Sequence, residues 1–123
     1  MEKLTNKEEE VMQILWDMEK GFVKDVIERM KKPKAPYTTI SSIIRILENK
    51  GFVGHKAYGN THEYFTIISK TDYRRATFKN LVNKYFDNSV KNVVSFLIKE
   101  EKLSDSEIEE LYSLIKENHP KKK

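Results

Sequence analysis

The stretch from Tyr37 to Phe65 constrains the fold of this 123-residue chain more than any other part of the sequence. It begins with apolar residues at the i, i+3, i+4 and i+7 spacing of an amphipathic helix: Ile40, Ile43, Ile44 and Leu47. We predict a helix from Tyr37 to Gly51, because glycine readily adopts the left-handed conformation that ends helices. Two β-like runs follow, Phe52–Tyr58 and Glu63–Ile68, and Gly59-Asn60 between them is a turn signal. The pattern predicts a helix followed at once by a β-hairpin.

The face of this helix opposite the apolar stripe carries short hydroxyl groups and an arginine. Hydroxyls can bond phosphates and either type of base, and arginine can bond O6 and N7 of guanine in the major groove. The first turns hold no acid, and Glu48 lies at the far end. We therefore predict DNA-binding residues in the helix and the hairpin: Tyr37, Thr38, Thr39, Ser41, Ser42, Arg45, Lys56, Tyr58, Asn60 and His62. The alternatives are that Arg45 forms a surface salt bridge with Glu48 and that Thr38 is only the N-cap.

Charge is unevenly distributed along the chain, although the formal net charge is only +4. Between Arg29 and Tyr58 there are seven basic residues and one acid, Glu48. Between Glu100 and Glu117 there are seven acids and two lysines. The first segment suits a polyanion and the second repels one. Residues 119–123 are predicted to be a disordered basic tail.

The N-terminal part predicts two helices before the one described above. Thr5 and Glu8 have the spacing of a capping box, which begins the first helix. A break is expected at Glu19-Lys20-Gly21, then a second helix from Val23 to Lys31, ended by the prolines that follow. Helix, short helix, helix and hairpin make a winged helix-turn-helix. We assign residues 1–70 to a winged-helix DNA-binding domain.

The C-terminal part, residues 71–118, predicts three amphipathic helices, the last beginning at a capping box of Ser104 and Glu107. Three short helices cannot cover so many large apolar side chains, so we expect a helical dimerisation domain. Its predicted interface residues are Phe78, Leu81, Val82, Tyr85, Val90, Val93, Val94, Leu97, Ile108, Leu111, Tyr112 and Ile115. A homodimer presents two identical heads to a two-fold symmetric operator. The predicted fold class is mainly α with a small β-hairpin wing.

Several function classes lack support in the sequence. There is no cysteine, phosphate-binding glycine loop, His-Glu-x-x-His pair or nucleophile elbow, so we expect no enzyme, no cofactor, no metal and no small-molecule ligand. His55 and His62 could meet across the hairpin, but no third ligand is near. No signal peptide or apolar run of roughly 18 residues occurs, so a cytoplasmic protein is expected. The rival interpretation is a helical protein-interaction adaptor without a specific DNA site; the basic segment favours DNA.

Three sets of residues, in order, carry a family resemblance. They are Leu4-Thr5, Glu10-Val11-Met12 and Leu15-Trp16; Thr38-Thr39-Ile40, Leu47 and Lys50-Gly51; and Leu103-Ser104 with Glu107-Ile108-Glu109-Glu110-Leu111. With these residues the chain resembles the penicillinase repressor family, the BlaI/MecI-type winged-helix repressors of bacteria. The resemblance implies a homodimer that represses β-lactamase or related resistance and stress genes. It also implies a membrane-bound sensor metalloprotease as a partner whose action leads to repressor cleavage.

The sequence departs from that family's pattern at three places. Phe22 stands where a capping threonine or serine often begins the second helix, and Ile46 stands where a polar or basic residue is usual. The best-known members are cleaved at an Asn-Phe bond in the penultimate helix, whereas this chain has Ser95-Phe96-Leu97 in that neighbourhood. These departures bear on operator preference and on the route of induction.

Overall fold

The structure, a computed structural model, describes residues 1–118. Six helices and three strands follow in the order α1 Asn6–Met18, β1 Lys20–Phe22, α2 Val23–Arg29, α3 Tyr37–Asn49, β2 Val53–Tyr58, β3 Thr61–Thr66, α4 Lys70–Tyr85, α5 Val90–Lys99 and α6 Asp105–Asn118. The predicted fold class, mainly helical with a small β wing, is confirmed. The tail predicted at residues 119–123 lies outside the described residues.

The winged-helix sheet has one strand more than the sequence predicted. The segment interpreted as a break, Glu19-Lys20-Gly21, overlaps β1, which pairs antiparallel with β3, so the strand order is β1-β3-β2. A strand of three residues is too short to show the period-two alternation by which strands are recognised in a sequence. Its partners, such as Phe65 opposite Lys20, lie far along the chain. Strand β1, which directly follows α1, therefore joins the end of α1 to the hairpin.

A single core lies beneath the three N-terminal helices and the sheet. The predicted stripe of α3 faces it, with Ile40, Ile44 and Leu47 at 1% exposure or less and Ile43 partly buried. Two long-range hydrogen bonds attach the start of α4 and the residues just before it to α1: the Tyr73 hydroxyl donates to Glu9, and the Trp16 indole donates to the carbonyl of Ile68. The core members are Leu4, Val11, Met12, Leu15, Val23, Val26, Met30, Ile40, Ile44, Leu47, Phe52, Val53, Tyr64 and Tyr73.

The chain divides into two compact units, residues 1–78 and the part from Lys79 onward. The division falls within α4, whereas the sequence placed it between residues 70 and 71. In the second unit Ser89 caps α5 through the amide of Asn92, and Ser104 and Glu107 form the predicted capping box of α6. Neither α5 nor α6 contains a buried residue. The second unit thus has well-defined helices with little core between them.

Candidate nucleic-acid interface

The two ends of α3 are capped in different ways. Its N-cap is Pro36, which has no side chain that can cap, so the interpretation of Thr38 as the N-cap is wrong. Within residues 1–118 no group of the protein accepts a hydrogen bond from the amides of Tyr37 and Thr38, and such amides at a helix N-terminus attract anions. At the other end Gly51 has φ of 83°, and the amides of Gly51 and Phe52 donate back into the last turn. This Schellman motif starts the chain towards β2.

The outer face of α3 is polar and accessible, as predicted. Thr38, Thr39, Ser42 and Arg45 are exposed, Tyr37 is 55% exposed, and Ser41 is half-buried. Two exposed residues were not among the predicted contacts, namely Ile46 at 43% exposure and Asn49. Each follows a predicted contact by seven residues, Thr39 and Ser42 respectively, so helical spacing alone could have found them.

Arg45 forms no ion pair within the part of the chain that the structure describes. The alternative pairing with Glu48 is not formed, because that carboxylate contacts Nδ1 of His55 instead. No carboxylate of residues 1–118 therefore holds the guanidinium, and its donors suit an external partner.

The hairpin of β2 and β3, here called the wing, turns at Gly59-Asn60, and Gly59 has the positive φ of 62° that such a two-residue turn requires. The pairing register divides the predicted wing residues between two faces. Lys56 and Tyr58 share the outer face, where Tyr58 packs against Phe22 of β1 and the Lys56 ammonium lies 5.3 Å from the Tyr58 ring centre. His62 lies on the opposite face, the one that also carries the buried Tyr64.

One residue of the basic segment is already neutralised. Lys50 Nζ lies 2.8 Å from Oε1 of Glu8, whose side chain is 8% exposed. Burial raises the pKa of the Glu8 carboxyl, but hydrogen bonds from Lys50 and Thr5 outweigh it, so the pKa is lowered. The same hydrogen bond raises the pKa of Lys50. Lys50 thus joins the end of α3 to the start of α1 rather than contributing a free charge.

The predicted dimerisation residues fall into three groups by exposure. Val82 is 5% exposed and already packed within its own chain. Val93, Val94, Leu97 and Leu111 are half-buried. The exposed members are Phe78, Leu81, Tyr85, Val90, Ile108, Tyr112 and Ile115. Most of the predicted stripe is therefore accessible in the single chain.

No cluster of three or more His, Asp or Glu side chains among residues 1–118 is arranged to hold a metal ion. In the same part of the chain, no helix combines the length and apolar character needed to cross a membrane.

Three helices, a three-stranded sheet and an exposed third helix beside a hairpin define a winged-helix protein. A sequence model of the family described as penicillinase repressor matches residues 4–117. The chain is 30% identical over 115 residues to the methicillin resistance regulatory protein MecI of Staphylococcus aureus (strain N315), covering 92% of this chain and 93% of that protein. It is 25% identical over 123 residues to the penicillinase repressor of Bacillus licheniformis, covering 98% and 95%.

The chain belongs to the penicillinase repressor family. It is accordingly a DNA-binding transcriptional repressor and not an enzyme. The resemblance predicted from its motifs is confirmed.

Proposed function

We propose that this protein is a sequence-specific repressor that binds a two-fold symmetric DNA operator as a homodimer. The observation that carries the proposal is the exposed outer face of α3, with its hydroxyls and with Arg45, which pairs with no carboxylate of residues 1–118. A surface of this kind suits the edges of bases in the major groove. A protein-docking adaptor would have no reason to keep acids off that face.

The two ends of the interface have different tasks in this proposal. Arg45, Ser42 and Thr39 lie where an inserted helix would meet base edges, and the amides of Tyr37 and Thr38 at the N-terminus of α3 suit a phosphate. Lys56, Tyr58 and Asn60 extend from the wing towards the sugar-phosphate backbone or the minor groove. Base contacts would determine the sequence bound, while the wing would add affinity that any duplex shares.

The proposal of a homodimer rests on the exposed apolar side chains of the second unit. Tyr85, Tyr112 and Ile115 are each more than half exposed, and a stripe of this size needs a partner to leave water. A second copy supplies an identical stripe and places a second α3 one helical turn of DNA away, about 34 Å. We propose that α4, α5 and α6 provide this contact, with residues 71–118 as the dimerisation domain.

The genes and the signal are proposed from the family. Relatives are named as regulators of methicillin resistance and of penicillinase, so we propose β-lactamase or related genes as targets, in the cytoplasm. Relief by a membrane-bound sensor metalloprotease would require cleavage in α5. Phe96 there is 42% exposed and follows Ser95, so a cut at this place would be at a Ser-Phe bond. Mass spectrometry of the chain from cells treated with a β-lactam would find that cut.

Selection from a random duplex library tests the DNA proposal. We expect enriched duplexes to contain an inverted repeat, bound far more tightly than random DNA at the same salt concentration. Lys56→Ala should weaken binding to both kinds of duplex alike and reduce the salt slope by about one ion. Enrichment of no sequence, or of a single unrepeated site, would contradict the proposal.

A further inference from the structure

Glu48, His55 and His62 form a chain of contacts between α3 and both strands of the wing. Oε2 of Glu48 contacts Nδ1 of His55. The ring of His55 stacks on that of His62, with centroids 4.0 Å apart and planes 7° apart. Both imidazoles also lie against the ring of Tyr64, at 5.7 and 6.1 Å. A carboxylate in the last turn of α3 is thereby connected to β2 directly and to β3 through a stacked pair.

These contacts lie between the buried base of the wing and its exposed tip. Val53 and Tyr64 are buried and anchor the base of the hairpin in the core. His55 and His62 come next, and beyond them the tip, residues 56–61, is exposed. The other face of the wing is supported by Phe22 of β1, which packs on Tyr58. The hairpin is thus held between β1 on one side and Glu48 on the other.

The same contacts explain the one acid of the basic segment. Glu48 is the only acidic residue between Arg29 and Tyr58, where a carboxylate works against binding a polyanion. Because a carboxylate only accepts hydrogen bonds, Nδ1 of His55 must carry the proton between them. A charge-assisted hydrogen bond of this type is stronger and more directional than a neutral one.

We propose that Glu48, His55 and His62 are positioning residues that hold the wing at a fixed angle to α3. They would align the wing with DNA bound by α3 without touching the DNA themselves. The inference rests on the proposed function, since it matters only if α3 and the wing engage one duplex. It assigns His62 to positioning, whereas the sequence suggested a DNA contact.

Two substitutions of His55 separate the hydrogen bond from the stacking. His55→Asn keeps an N–H donor near the position of Nδ1 and loses the ring. His55→Phe keeps a ring against His62 and Tyr64 and loses the donor. Glu48→Gln keeps an acceptor and removes the charge, and Asp17→Asn, on an exposed residue of α1, is its charge-matched control.

Amide hydrogen exchange in the free full-length protein is the first measurement. We expect the fastest exchange across residues 55–62 in His55→Phe, and a rate between that of His55→Phe and that of the wild type in His55→Asn, which keeps the hydrogen bond and loses the stack. Wild-type exchange in His55→Phe, or equally fast exchange in both variants, would contradict a positioning role for the hydrogen bond between Glu48 and His55. Exchange does not involve DNA, so it tests the positioning role even if no selected duplex is preferred and the proposed function fails.

Binding to a selected duplex and to a random duplex is the second measurement. His55→Phe should weaken binding to both duplexes by about five- to tenfold, because a misaligned wing loses the affinity that it adds to any duplex, and His55→Asn should recover part of this loss. The salt slope should fall by about one ion at most, which is the loss expected for Lys56→Ala. Glu48→Gln should bind both duplexes more weakly than Asp17→Asn, which removes the same charge and leaves the wing in place. Wild-type affinity of His55→Phe for both duplexes, or a loss confined to the selected duplex, would overturn the proposal.

Discussion

The two units of the chain bury their apolar residues to very different degrees. In the first, helices and sheet enclose a core in which Met12, Leu15 and Ile44 are inaccessible to solvent. In the second, α5 and α6 have no buried residue although both carry apolar stripes. The contrast teaches that the winged helix is stabilised by its own side chains, whereas the C-terminal helices leave their apolar stripes accessible, which is the basis of the proposed dimer.

The largest expected effect comes from placing a charge in the C-terminal stripe. Ile115→Asp should give monomers, because a carboxylate in a dry interface is strongly unfavourable. Each monomer would keep one α3, so affinity for a two-fold operator should fall towards the non-specific range, about 10³-fold or more. Sedimentation velocity and operator titration measure the two effects.

Ser113→Asp is the matched control for that substitution. It adds the same charge to the opposite, exposed face of α6 and should leave a fully active dimer. If Ile115→Asp stayed dimeric as well, the interface would not include this stripe.

A substitution in the N-terminal core should act on stability instead of assembly. Leu47→Ala removes a fully buried side chain of α3 and should destabilise the winged helix by about 2–5 kcal/mol, through lost burial and the cavity left behind. Chemical denaturation of residues 1–78 would measure it, with Gln13→Ala on the exposed face of α1 as the control. A loss that varied with protein concentration would contradict the assignment of this core to the single chain.

Removing the guanidinium of Arg45 should affect recognition only. Arg45→Ala is expected to weaken operator binding by about 1–3 kcal/mol with the melting temperature unchanged, since the side chain is exposed and forms no ion pair among residues 1–118. Arg75→Ala removes the same charge from α4, where Arg75 lies 3.8 Å from Asp72, and serves as the control. Equal losses in the two variants would make the contribution of Arg45 one of net charge alone.

The smallest expected effect concerns the ion pair of Glu8 and Lys50. Burial raises the pKa of Glu8, but its hydrogen bonds lower it below the ordinary glutamate value of 4.5. Its contribution to stability is therefore complete above pH 4.5 and is lost as the pH falls through the folded-state pKa. Glu8→Gln should cost about 1 kcal/mol near neutral pH and progressively less in acid. A constant difference in the free energy of unfolding from pH 7 to pH 3 would argue against the pair.

Local signals were sufficient for most of the fold. The capping boxes at Thr5 and Ser104 and the apolar stripe of α3 involve residues at most seven positions apart, and the structure has all three. Strand β1 was missed because its partner lies in β3, and the Lys50–Glu8 bond spans 42 residues. Spacing patterns carry no information about such distant pairs.

The candidate interface was predictable only in part for the same reason. Helical periodicity identified the outer face of α3, and exposure added Ile46 and Asn49 to it. The contact between Glu48 and His55 depends on how the wing folds back on α3. Residue types alone do not predict that arrangement. Alternation along β3 would have placed His62 with Tyr64, away from Lys56, had the strand register been known.

The mass of the complex with a selected duplex tests the central claim most directly. Analytical ultracentrifugation of the full-length protein, free and bound to one inverted-repeat duplex, gives both stoichiometries in one experiment. The account predicts a dimer at micromolar concentration without DNA and two chains on each duplex. A free monomer that binds the duplex singly with full affinity and specificity would contradict it.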